Sequence, residues 1–401
     1  MAARAGACDG RFQGSGVDIA HVDQLAAFGV RLDGLEVVGR DAAADATQLR
    51  RVYDIQSDLF RHLAGMIFIV IRDTDQLGIR VAYGGICGSD LHYFQHGGFG
   101  TVRIKEPMVL GHEVAGMVES VGPGVTQWRI GQRVALSPSR PCGQCRFCQL
   151  GQHNHCLDMR FYGSAMRYPH IQGAFREKLV VEAWQAHEVG PGVSLAEAAL
   201  AEPLSVGLHA IQRAGPVFGK QVLVTGCGPI GSLLIGALRR AGAARIVAVD
   251  LADYPLEIAR KMGADVTINL ASDPDGLAPF ALDKGQFDAM FEASGSDKAL
   301  RAGLDVVAPR GVIVAVGLGG EISLPLNALV AREIDLRGTF RFHSEFAVAV
   351  QFINQRLVDG RPVISHCMKF DRAMEAFRLA SDKRQAMKVQ IDFGVEPQVT
   401  V

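Results

Sequence analysis

Neither sign of charge dominates this 401-residue sequence: Lys and Arg number 41 against 42 Asp and Glu, a formal net charge of −1 at pH 7. Nucleic acids and acidic membranes recruit a surplus of positive charge, so neither is expected as a partner, and a small-molecule substrate is the better expectation. The sequence also lacks a bilayer-length apolar run. The longest near the start, Met66 to Ile71, is far too short to span a membrane, and no charged-then-apolar leader precedes it. A soluble, cytoplasmic protein is therefore expected. There is no internal repeat and no low-complexity tract. Glycine, by contrast, is plentiful at 46 residues, which suits many tight turns and close approaches of helix to strand. The length allows two domains, each with its own core.

Four of the eight cysteines, Cys142, Cys145, Cys148 and Cys156, stand in the run CGQCRFCQLGQHNHC. Their C-x2-C-x2-C-x7-C spacing can close a tetrahedral thiolate shell around one zinc ion, and four protein ligands leave no open position for chemistry. A structural zinc lobe is expected. The alternative is free or disulfide-paired cysteines, and a disulfide framework is expected in small secreted domains rather than in a long chain of this kind. His153 and His155 lie inside the loop and read as surface residues, because thiolates already fill the shell.

A second cluster sits upstream, in GGICGSDLHYFQHGG and VLGHEVAG. Cys87, His112 and Glu113 offer a thiolate, an imidazole and a carboxylate, a mixed set able to leave one position open for water or substrate, as a catalytic zinc requires. In the same stretch the Ser89 hydroxyl and the His92 imidazole could pass a proton from a buried site to solvent. A turn or cap role for Ser89 and a solvated side chain for His92 are the plainer alternatives.

The third signal is QVLVTGCGPIGSLLIGALRRAGAARIVAVD. Val222 to Thr225 predicts a buried parallel strand, Gly226-Cys227-Gly228-Pro229-Ile230-Gly231 a phosphate turn, and the residues through Leu238 the helix it opens. Gly226 permits the tight turn, Gly228 lets the backbone approach a pyrophosphate, and Gly231 lets helix and strand pack closely. A second strand, Arg245 to Val249, leads into Asp250, an acid placed to bind both ribose hydroxyls and repel a 2′-phosphate. NAD is thus favoured, with NADP as the alternative. Apolar runs at Phe287–Phe291 and 312–316 continue an α/β doubly wound parallel sheet.

With GICGSDLH, GHE, the four-cysteine lobe, AEPL and TGCGPIG all present, the chain from Gly84 onward resembles the zinc-dependent medium-chain dehydrogenase/reductase family, in its sorbitol dehydrogenase branch. The resemblance implies a Rossmann nucleotide domain over residues 203–345. It implies a GroES-like β-barrel catalytic domain over 66–202, carrying the lobe, to which residues 346–401 return. Two zinc ions per chain, one catalytic and one structural, NAD, and a homodimer or homotetramer follow from it. Glu202, in AEPL, falls at a position beside the catalytic metal that exchanges with water as a ligand; a helix-start carboxylate is its plainer alternative. Ser89 and His92 fall at the proton-relay positions. Ile230, Asp250 and Val316-Gly317-Leu318 match cofactor contacts, and Tyr93, Arg341 and Phe342 match the substrate site. The strings IKEPMVLGHEVAG, DMRFYGSAM and GTFRFHSEF resemble those of members that oxidise L-idonate to 5-keto-D-gluconate, with neutral polyols such as sorbitol and xylitol as the alternative substrates.

A sugar acid needs a partner for its carboxylate, best supplied by a planar, permanently charged guanidinium. Arg341 and Arg160 are the candidates, with Lys105 third. The metal cysteine stands later in this chain than the family places it. Residues 1–65 match nothing expected there and read as an atypical N-terminal extension with a helical stretch, while Met66 to Ala82 could supply one or two opening strands.

Overall fold

The computed structural model describes residues 73–396; the expected extension 1–65 and the first residues of the expected opening strands lie outside the described residues. The first half builds one antiparallel sheet. It holds β1 (Gln76–Gly85) and, after helix α1 (Gly88–His96) and the short strands β2 (Gly98–Phe99) and β3 (Val102–Arg103), which pair with each other apart from it, β4 (Glu113–Val121) and β5 (Arg133–Leu136). The lobe follows, from β6 (Ser139–Arg140) through α2 (Arg146–Gln149) to β7 (Arg160–Phe161), and then β8 (Lys178–Glu182), β9 (Ala186–Glu188), α3 (Leu195–Ala198) and α4 (Ala201–Ala214). β1 is flanked by β4 along its length, by β8 along its first half and by a C-terminal strand at its end. Breaks in register at Gly78/Ile79 and Val81/Tyr83 bend it, as closing a barrel demands. Leu77, Ile79, Val81, Val118, Val134 and Leu136 fill the interior of this sheet.

The second half alternates strand and helix: β10 (Gln221–Thr225), α5 (Pro229–Arg240), β11 (Arg245–Asp250), α6 (Asp253–Lys261), β12 (Val266–Asn269), β13 (Phe287–Glu292), α7 (Asp297–Val306), β14 (Val307–Ala315), α8 (Leu326–Arg332) and β15 (Asp335–Gly338). These six strands are all parallel, in the order β12-β11-β10-β13-β14-β15. That is the doubly wound 3-2-1-4-5-6 arrangement, whose switch point lies between β10 and β13 at their carboxyl ends. Because helices cover both faces, the central strands read as apolar runs instead of alternating. β14 starts five residues before the expected 312–316 run, with Arg310 at φ +65° interrupting it.

After α9 (Glu345–Asn354), which packs on α4 through Phe346, Ala349 and Val350, the chain returns to the first sheet as β16 (Ile364–Lys369), α10 (Ala373–Ala380) and β17 (Lys388–Asp392). β17 pairs with Tyr83–Gly85 of β1, so the last strand closes on the first described one. Among the described residues no helix is long and apolar enough to cross a membrane.

Candidate active site

The pairing of β1 with β4 puts Gly85 opposite Glu113, and the next residues carry Cys87 to the side of His112 and Glu113. Gly85 is required at that crossing, since a Cβ there would stand 2.1 Å from a Glu113 carboxylate oxygen. The Cys87 sulfur, a His112 ring nitrogen and a Glu113 oxygen all lie within 4.8 Å of one another. Asp90, fully buried in the first turn of α1, holds the cluster's backbone: its carboxylate accepts from the Cys87 N–H and the Gly111 N–H, each at 3.0 Å, and sits 3.7 Å from His112 Nδ1. Lys388 reaches in from β17, its Nζ 2.7 Å from the Glu113 carboxylate and 3.0 Å from the Ile86 carbonyl it donates to. Glu202 at the start of α4 is buried beside these groups.

The electrostatics of this cluster fit a divalent cation. Burial, reinforced by Glu113, pushes the Cys87 thiol up to about 11, and burial pushes Glu202 up to about 8, with Glu113 and Cys87 adding to it against His112. The protein alone thus resists ionising all of these donors together, and His112 Nδ1 is buried without a hydrogen-bond partner. A bound zinc ion reverses that balance and takes ligands of this thiolate, imidazole and carboxylate type. The Ser89 hydroxyl bonds the Cys87 side chain. His92 lies one turn farther along α1, half-buried, its imidazole pushed below its ordinary value by burial and by His96 and Lys383 nearby.

The four lobe cysteines also converge, with all their sulfurs within 4.8 Å. Cys145 Sγ is 3.6 Å from Cys148 Sγ and 4.0 Å from Cys156 Sγ, and none forms a disulfide. Backbone N–H groups of Cys142 and Asp158 donate to Cys156 Sγ at 3.2 and 3.3 Å, and Leu157 N–H approaches Cys145 Sγ at 3.5 Å. Such donors favour thiolates, and they pull Cys145 down to about 6. The set fits a structural zinc. His155 is exposed as expected, but His153 is half-buried: its ring stacks on His343 at 3.9 Å, because the lobe lies against the segment following β15.

At the switch point, Gly226 adopts φ +84° and Gly228 opens α5 without any side-chain cap, leaving the first N–H groups of the helix free to bind an anion. A Cβ on Gly231 would stand 1.9 Å from the Gly226 carbonyl oxygen, so the close crossing does need glycine. Ile230 sits in the first turn of this helix. Asp250 ends β11 half-buried and accepts from the N–H groups of Cys227 and Leu251 at 2.7 Å each. Val316 and Gly317 follow β14 against Ser294 and Gly295, and Leu318 is exposed.

A cleft of about 350 Å³ opens between the lobe, at Asn154, Cys156 and Asp158, and the residues Ser164, Phe340 and Arg341. Arg341 holds φ +54°, and its guanidinium lies over the Phe161 ring at 4.1 Å and the Phe340 ring at 4.9 Å, 3.4 Å from Ser164 Oγ. Burial lowers it to about 10, with Tyr93 and Glu202 opposing, so it remains charged at neutral pH. The Tyr93 hydroxyl accepts from the Ala165 N–H at 3.0 Å.

Three expectations change. Arg160 points to solvent and sits 3.9 Å from Asp158, because alternate residues of a strand face opposite sides and its neighbour Phe161 takes the inward position. Phe342 is closed off from solvent, its ring stacked on Phe346 in the core rather than on the cleft wall. Lys105 is exposed and does not line the cleft. Four site residues had no prior signal: Asp90, Lys388, Asn154 and Phe161, whose ring touches both the Arg341 guanidinium and the His112 imidazole, the latter at 5.6 Å.

Residues 73–191 match the family model of the alcohol dehydrogenase GroES-like domain, and residues 229–355 that of the zinc-binding dehydrogenases. The chain is 43% identical to the L-idonate 5-dehydrogenase (NAD(P)(+)) of Escherichia coli K12 over 316 residues, 79% of this chain and 91% of the relative. It is 36% identical to sorbitol dehydrogenase of Bos taurus over 311 residues, 77% and 86% of the two chains. The crystal structure of the Escherichia coli L-idonate 5-dehydrogenase superposes with a TM-score of 0.78 at 42% identity, covering 81% of this chain and 93% of that one. The chain therefore belongs to the zinc-dependent medium-chain dehydrogenases, among the polyol and sugar-acid dehydrogenases that bind zinc and a nicotinamide dinucleotide.

Proposed function

We propose that the protein oxidises L-idonate to 5-keto-D-gluconate, reversibly and with NAD, in the cytoplasm. Cys87, His112 and Glu113 would hold the catalytic zinc, with Glu202 in exchange, and Cys142, Cys145, Cys148 and Cys156 the structural one. When bound, the catalytic zinc supplies a Lewis acid that eases ionisation of the secondary alcohol, and the dinucleotide supplies the hydride acceptor. The residues of the chain do the rest. Asp90 and Lys388 fix Cys87 and Glu113 by charge-assisted hydrogen bonds, so the donor set is oriented before substrate arrives. Ser89 takes the substrate proton at its hydroxyl and passes it outward toward His92, whose burial keeps the imidazole neutral and able to accept. The turn from Gly226 to Gly231 binds the pyrophosphate and Asp250 the ribose, with Ile230 and Val316-Gly317-Leu318 flanking the cofactor. Arg341, flanked by two phenyl rings, takes the substrate carboxylate, and Tyr93 supports that wall of the cleft.

The observation that carries the choice of a sugar acid is the Arg341 guanidinium in the cleft, connected to His112 through the single ring of Phe161. The exposed edge strand β15 and helix α8, with Leu326, Val330 and Leu336 in solvent, support a homodimer or homotetramer. Initial rates on L-idonate, sorbitol and xylitol, with NAD and then NADP, test the proposal. L-Idonate with NAD should give the highest kcat/KM. A tenfold advantage for sorbitol, about 1.4 kcal/mol of transition-state preference, would instead make the protein a neutral polyol dehydrogenase. Binding of zinc and NAD without turnover on any of these would make it an inactive relative.

A further inference from the structure

The lobe and the carboxylate-reading arginine touch through one short segment. Asn154, nearly buried in the turn between Cys148 and Cys156, donates from Nδ2 to the Phe340 carbonyl at 3.0 Å. The His155 ring stacks along the Phe340 ring at 6.1 Å, and His153 stacks on His343. On the far side the His343 N–H donates to Glu345 at 2.8 Å, and Glu345 is itself held by His209 at 2.9 Å. Arg341 stands between these anchors with φ +54°, a left-handed backbone that an arginine keeps only when its neighbours fix it. Its guanidinium then rests on the ring of Phe340, the residue the lobe grips.

We propose that the four-cysteine lobe serves substrate selection as well as stability, and that Asn154 is a positioning residue which sets Arg341 against the substrate carboxylate by fixing the Phe340 peptide. This rests on the assignment of Arg341 to that carboxylate. The Asn154 side chain is buried and its bond ties the half-buried Phe340 peptide to the lobe, so removing Nδ2 frees that peptide to rotate and lets Arg341 relax from its strained backbone.

The test is a double-mutant cycle on the full chain with NAD and zinc, using Asn154→Ala, Arg341→Ala and the double variant. KM and kcat are read on L-idonate and on sorbitol, with zinc content measured for each. Asn154→Ala should raise KM for L-idonate about tenfold, more than for sorbitol, with kcat affected less than KM. In the Arg341→Ala background the same change should add less than about twofold, because its effect passes through the missing side chain. Arg341→Ala that is selective for L-idonate beside an unselective or fully multiplicative Asn154→Ala would overturn the role of Asn154 alone. An unselective Arg341→Ala would overturn the carboxylate assignment and this proposal with it. If Asn154→Ala loses lobe zinc, Asn154→Leu carries the same test, since it keeps the side chain close to its size and removes the donated hydrogen bond without adding a charge. Zinc loss from both variants would also overturn the proposal, because Asn154 would then hold the lobe itself.

Discussion

Gly231→Ala compared with Gly228→Ala separates cofactor binding from folding, because the two added methyls meet different surroundings. The added methyl would stand 1.9 Å from the Gly226 carbonyl oxygen, a backbone atom that cannot rotate aside. A carbon and an oxygen need about 3.3 Å, so helix α5 and the turn must part by well over an ångström. The turn has no slack on its other side, where a Cβ on Gly226 would already be 2.6 Å from Ser294 N. Overpacking of this kind costs about 1–3 kcal/mol, and a 1 Å displacement of a binding group costs about a hundredfold in function. Gly231→Ala should therefore lower the melting temperature and weaken NADH, followed by its fluorescence on titration, by about a hundredfold. Gly228→Ala is the control. Nothing lies within 4 Å of a Cβ there, so folding should be untouched, while the methyl occupies the space the pyrophosphate approaches. Wild-type NADH affinity in Gly231→Ala, or a lower melting temperature with wild-type NADH affinity in Gly228→Ala, would refute the assigned roles of the turn.

Three further outcomes follow from side chains. Arg341→Ala should raise KM for L-idonate by about ten- to a hundredfold more than for sorbitol, the worth of a charge-assisted hydrogen bond of about 1.5–3 kcal/mol; equal losses in steady-state kinetics would contradict it. Asp250→Ala should shift the ratio of kcat/KM for NADP over NAD upward by about tenfold, since repulsion of the 2′-phosphate disappears; an unmoved ratio removes Asp250 from cofactor choice. Glu197 is drawn upward by burial, but the Arg356 ion pair and the Ser194 hydrogen bonds outweigh this and hold its carboxyl below the ordinary glutamate value. A carboxylate held low stabilises the fold above its unfolded value and loses that contribution as pH falls through the folded one. The gap in urea midpoint between wild type and Glu197→Gln should thus be widest near neutrality and shrink below about pH 4; a gap that is constant with pH would count against the ion pair.

The parts of the site that were legible in the sequence are those whose chemistry is local. The strand, turn and helix around Gly226-Gly231 follow from spacing within a few residues, and Asp250 is one strand away. The lobe follows from cysteine spacing alone. What was not legible depends on contacts between distant segments. Lys388 meets Glu113 across 275 residues, and only the pairing of β17 with β1 shows that its charge is buried there. Asn154 reads as one polar residue in a loop until Phe340 is placed against it. In DMRFYGSAM, charge drew attention to Arg160, whereas strand alternation gave the inward position to Phe161. Phe342 stands one residue from Arg341, and the left-handed backbone at Arg341 sends their side chains to the cleft and to the core.

On the proposed mechanism one chain would hold two zinc ions by different donor sets, Cys87, His112 and Glu113 in one and the four lobe cysteines in the other, and only the first would serve chemistry. Metal analysis of the purified protein and of Cys87→Ala, with turnover measured on both, tests it most directly. The wild type should carry two zinc ions per chain, and Cys87→Ala one, with turnover abolished and melting temperature retained. A single zinc that survives Cys87→Ala, or turnover that does, would contradict it.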